Sequence, residues 1–204
     1  MELDRWFSLF GICLLGAMSP GPSLAVVLNA ALGEGRRAGY SAAIAHGAAV
    51  GLYGLLTVAG LAVVIARSPA LFNTLQIAGA CYLLYLGIGI LRHACAAKPV
   101  ADSDPGGHSW ALGGFLVACL NPKLAVFMLA LFAQFLEPGD GPRQKAIMAL
   151  TVGVTDACWY ALVVSLVSYH RLPRQLGRGG ALIDRLFGGF LVLVGATVLL
   201  RAVL

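Results

Sequence analysis

Residues 6–33, 38–66 and 68–91 contain no Asp, Glu, Lys or Arg. Uncharged runs of this length constrain the chain more than any motif does. Each exceeds the ~20 residues that carry a helix across a ~30 Å hydrocarbon core. Only structures that satisfy their own backbone hydrogen bonds survive in lipid, and for apolar runs of this length that structure is the α-helix. Residues 109–136 hold one charge, Lys123, and residues 146–170 hold one, Asp156. The last run, roughly 184–204, is shorter, lying between Arg185 and Arg201. Charged residues make up 11% of the chain, apolar residues 59%, and mean hydropathy is +0.86, whereas a soluble domain carries about 25% charged residues. The expected fold class is an all-α integral membrane protein with six transmembrane helices.

A cleavable signal peptide is the alternative for the N-terminus, but its flank of Glu2, Asp4 and Arg5 is not basic. Its apolar run is also longer than the ~7–15 residues of a signal core. The net charge of +5 does not point to nucleic acid, because the basic residues sit in short loops, where Lys and Arg set orientation. With the N-terminus outside, Arg36, Arg37, Arg92, Lys98, Arg171, Arg174, Arg178 and Arg185 fall inside. Arg5, Arg67, Arg143, Lys145 and Arg201 fall outside. That excess of inner positive charge favours this orientation.

Pro99, Asp102, Ser103, Asp104, Pro105, Gly106 and Gly107 form the one clear linker. It divides the chain into residues 1–92, a loop at 93–108 and residues 109–204. Three spans in each part require the second to insert upside down relative to the first, so two alike halves would be inverted repeats. Gly79 and Arg92 match Gly188 and Arg201 at an offset of 109, and His46 matches Asp156 at 110.

The first and fourth spans are interrupted near their middles, at Ser19, Pro20, Gly21 and Pro22 and at Asn121, Pro122 and Lys123. From the tryptophan that opens each span, Trp6 to Pro20 is 14 residues and Trp110 to Pro122 is 12. Proline inside a helix costs about 3 kcal/mol, and such breaks persist in membranes where they line a cavity. Matching breaks in two halves point to a substrate site between inverted repeats. A mid-span Lys or Asp costs about 2.5–3.5 kcal/mol on insertion scales, so Lys123 and Asp156 call for a function. Lys123 could join the half-helix dipole in holding a carboxylate; the competing reading is snorkelling to an interface. Asp156 could hold an ammonium, carry an exchanged proton or neutralise Lys123. His46 is equally well a pathway residue or a packed imidazole. Tyr160, four residues after Asp156 on the same helical face, could add a hydroxyl or simply pack. Asn29 and Tyr53 are further wall candidates.

The segments SPGP at 19–22, GEGRRAG at 33–39, YLLYLG at 82–87, NPK at 121–123 and the aspartate at 156 together resemble the LysE/RhtB family of amino-acid exporters along nearly the whole chain. That resemblance implies a six-helix inner-membrane fold exporting amino acids such as lysine, arginine, homoserine, threonine or leucine, driven by the proton or membrane potential. Many members carry an acidic residue in the second span, where this chain has His46. One acid and one lysine at mid-membrane suit a zwitterion better than a dication, which favours neutral amino acids of the homoserine, threonine or leucine type.

The competing readings are an enzyme, a metal or other small-solute exporter, and a non-transporting assembly partner. Cys13, Cys81, Cys95, Cys119 and Cys158 form no CxxC pair, which argues against a thiol-disulfide enzyme. His46, His93, His108 and His170 stand apart, unlike a His-rich metal tract. No nucleophile triad or phosphate loop is present, so no enzymatic activity, metal or cofactor is expected. The expected partners are an amino acid, a proton or other coupling ion, and lipid. Small-residue pairs such as Gly35/Gly39 and Gly47/Gly51 serve either intramolecular packing or a homodimer.

Overall fold

A computed structural model describes residues 2–19, 21–93, 109–170 and 176–203; Pro20 and the linker at 94–108 lie outside them. The described residues form eight α-helices: α1 Leu3–Met18, α2 Pro22–Gly33, α3 Arg36–Arg67, α4 Pro69–His93, α5 Trp110–Cys119, α6 Pro122–Phe135, α7 Pro142–His170 and α8 Leu176–Val203. Three of them, α3, α4 and α7, are long and apolar enough to cross a membrane, and there are five such spans if each bent pair counts as one. The apolar part of α8, Arg185–Leu200, is shorter.

The breaks have local causes. At the end of α1, Ser19 N–H donates to the Leu15 carbonyl at 3.1 Å, and proline has no N–H with which to continue the ladder. Pro22 then opens α2 at its first turn, where a missing N–H costs nothing. In the second break Asn121 Oδ1 accepts from Leu124 N–H at 3.2 Å, capping α6. Each bent pair turns by 60° at its break.

Small residues decide which helices meet. Along α3, Gly39 meets Val164, Gly47 meets Ala157 and Gly153, Gly51 meets Gly153, and Gly54 meets Val152. Rising numbers against falling ones make α3 and α7 antiparallel. A Cβ on Gly47 would lie 2.5 Å from the Ala157 Cβ and 2.8 Å from the Gly153 carbonyl oxygen. The α4/α8 contact follows the same rule, with Gly87 against the Gly188 carbonyl and Gly195 against the Ala80 carbonyl. One packing glycine and one offset-matched glycine depart from what their spacing suggests. Gly35 has φ +91° with nothing near its Cβ position, so it serves the turn into α3 rather than a helix face. Gly79 packs on Ala130 and Gln134 of α6, whereas Gly188 packs on α4, so their surroundings do not match.

Large apolar side chains cover the exterior, among them Leu52, Leu55 and Leu56 of α3 and Leu150, Val154, Leu162 and Leu166 of α7. Such an apolar surface suits lipid rather than water.

At one end of the bundle Arg5 ties α1 to the α6–α7 turn. Its guanidinium reaches Glu137 at 3.0 Å and Asp140 at 2.9 Å and donates to the Phe135 carbonyl. Next to it, Trp6 Nε1–H donates to Thr151 Oγ1 at 2.9 Å. The Asp140 side chain is 5% exposed and that of Glu137 65%. Arg5→Ala is expected to cost about 3 kcal/mol by leaving Asp140 buried without its cation. Glu137→Ala should cost less than about 1 kcal/mol. Thermal unfolding of both variants in detergent checks the order; equal shifts would contradict it.

Candidate functional site

The close approach of α3 and α7 at Gly47 brings together the side chains flanking it. His46 Nδ1 and Asp156 Oδ2 are 2.6 Å apart, and the residues are 2% and 8% exposed. With Asp156 ionised, Nδ1–H is the donor and the carboxylate the acceptor. His46 Nε2 is buried and, among the described residues, has no hydrogen-bond partner. The Tyr160 ring meets the imidazole edge-on, with centroids 5.2 Å apart and planes at 89°. Ser23, in the first turn of α2, lines the same cavity as Tyr160. Contacts thus run from Asp156 through His46 to Tyr160.

These groups face a cavity of about 120 Å³. Ser19, Gly21, Pro22 and Ser23 come to it from the first break and Asn121 from the second, beside His46, Asp156 and Tyr160. Val50, Leu86, Leu124, Phe127, Met128 and Phe187 form an apolar wall. One cavity therefore gathers both helix breaks and the buried polar pair. Its polar wall offers a carboxylate, an imidazole acceptor and hydroxyls, and the α2 and α6 N-termini add the positive ends of two helix dipoles. A zwitterion with an apolar side chain matches this division.

Of the residues singled out in the sequence, Ser19, Gly21, Pro22, His46, Asn121, Asp156 and Tyr160 line the cavity. Pro20 and the side chains of Pro122 and Lys123 lie outside the described residues, although Pro122 and Lys123 open α6. Tyr53 belongs to a separate apolar groove between α3, α4 and α6, and Asn29 does not line the cavity. Sequence reading missed Ser23, whose only signal is its place beside Pro22. It also missed Cys13 and Phe187, which are indistinguishable along the chain from other apolar core residues. Among the described residues no three His, Cys, Asp or Glu side chains group as metal ligands.

Residues 14–202 match the LysE type translocator family. The chain belongs to that family. Proteins similar to it include the leucine efflux proteins of Salmonella choleraesuis and Salmonella typhimurium, each 30% identical over 199 residues, covering 92% of this chain and 92% of the relative. No solved structure matches. Membership of this translocator family makes the protein a transporter, and its apolar helices fit a multi-pass membrane protein.

Proposed function

We propose that this LysE-type translocator is a secondary active exporter of neutral, leucine-like amino acids across the cytoplasmic membrane, working by alternating access. The observation that carries the reading is the single cavity where both helix breaks meet the His46–Asp156 pair. The substrate ammonium faces Asp156 and His46. Its carboxylate faces the broken ends at Gly21 and Asn121, with Lys123 nearby in sequence. Its side chain faces Phe127, Met128 and Phe187. The cavity is roughly ten times the ~10–15 Å³ that one water needs, a scale suited to one amino acid rather than a peptide. The names of the leucine efflux relatives support the same substrate class.

The architecture behind this reading is six spans in two inverted repeats, residues 1–92 and 109–204, joined by 93–108, with the N-terminus and the Arg5 cluster on the outer face. Three features support it. Each half has one bent pair. The helices α1 and α2 contact α7 as α5 and α6 contact α3. Finally, the residues that touch at the α3/α7 crossing are equivalent in the two halves: 157 − 47 = 110 and 156 − 46 = 110. Equivalent residues touch where a two-fold axis passes, and a site on that axis is where rocking of one half against the other alternates access.

Proteoliposomes loaded with all twenty amino acids, with and without an imposed pH gradient, test the proposal by mass spectrometry. Gradient-dependent loss of leucine and its neutral neighbours is expected. Retention of all twenty by folded, inserted protein would overturn it in favour of another small solute or an assembly role.

A further inference from the structure

We propose that His46 Nε2 is the atom at which the substrate ammonium and the driving proton exclude one another. The proposal rests on the exporter reading and adds to it the coupling ion and its acceptor. The observation is a buried nitrogen that, among the described residues, has no hydrogen-bond partner, on a residue that lines the cavity. Nδ1 is committed to Asp156 at 2.6 Å, so Nε2 alone is open to a second positive group. Among the described side chains, the titratable groups facing His46 and its cavity are Asp156 and Tyr160 from α7 and Cys13 from α1. The helices α2, α6 and α8 bring Ser23, Leu124, Phe127, Met128 and Phe187, and Asn121 comes from the second break.

With one proton the pair is a neutral imidazole beside a carboxylate, and its net negative charge is costly at membrane depth. A proton on Nε2 removes that charge. An ammonium does so too, donating one N–H to the Nε2 lone pair across the imidazole ring from Asp156. Both cannot be present, because a protonated Nε2 is a donor only and repels the cation. As the ammonium enters, the Nε2–H bond of the imidazolium breaks and its proton leaves to water on that side; no other bond changes. On the outer side a proton takes Nε2 and the ammonium departs. Each crossing thus carries one positive group on the pair, an amino acid outward or a proton inward.

Calorimetric titration of the detergent-solubilised full chain with leucine, in buffers of differing ionisation enthalpy, reads the exchange. At the acid end of the pH range about one proton should be released per leucine, and the Kd should there rise about tenfold per unit fall in pH. His46→Gln should release none, with a Kd unchanged between about pH 5 and 8. Leucine binding to the wild type without proton release would overturn the proposal and leave the exporter reading standing, as would undiminished release in H46Q. Failure of the wild type to bind any neutral amino acid would overturn both. Should H46Q not fold, nitrogen-15 spectra of the four wild-type histidines decide the same question: leucine should turn one imidazole Nε2 from protonated to hydrogen-bond acceptor. No histidine response in leucine-bound protein would overturn the assignment.

Discussion

Gly153→Leu is expected to yield no stably folded protein. A Cβ there would lie 2.8 Å from the Gly51 Cα, 2.9 Å from the Gly47 carbonyl oxygen and 3.1 Å from the Gly51 N. All three atoms are backbone, so no rotamer change relieves the overlap, and α3 and α7 must separate. Lipid supplies no hydrophobic drive to bring them back, since close van der Waals packing is what holds such helices together. Overpacking a core costs about 1–3 kcal/mol where side chains can yield, and more is expected where only backbone faces the intruder. Separation would also pull His46 from Asp156, stranding a carboxylate. Size-exclusion profiles and thermal unfolding in detergent check this. A monodisperse G153L protein with wild-type stability would show that the α3/α7 contact does not hold the fold together. Gly189 is the control, because nothing lies within 4 Å of its Cβ position; Gly189→Leu should fold normally.

Asp156→Asn should leave the protein inserted and folded and remove gradient-driven efflux. The Asn oxygen can still accept from His46 Nδ1–H, so the neutral variant keeps the geometry but loses the charge. Losing the charge that faces a bound cation costs about 2–5 kcal/mol of binding, which corresponds to a loss on the order of 100-fold in the charge-dependent step. Efflux from proteoliposomes should therefore fall to the level of protein-free vesicles, while the elution profile and unfolding midpoint stay near those of the wild type. Full activity in D156N would take Asp156 out of the mechanism.

Much of the site is legible along the chain because its chemistry is local. Proline inside an apolar run marks a helix break, and breaks appear after Met18, where the sequence has Pro20 and Pro22, and after Cys119, where it has Pro122. An aspartate in an apolar span needs a reason whatever surrounds it. His46 is harder to read, since a neutral imidazole packs as readily as it binds, and nothing along the chain shows that it comes within 2.6 Å of Asp156. Gly35 and Gly79 are not legible in the same way, because glycine spacing does not distinguish a turn glycine from a packing one, nor say which helix a small face meets.

The sequence by itself determined the helical spans and their interruptions. Hydropathy over ~20 residues and the missing N–H of proline are properties of adjacent residues, and lipid leaves no alternative to the helix. Tertiary structure alone decided that His46 finds Asp156, that Tyr160 and Ser23 line one cavity, and that Phe187 closes its wall. These contacts join residues as much as 110 positions or more apart. They arise because glycine backbones let α3 and α7 approach closely enough for the flanking side chains to touch, which depends on two helix faces at once.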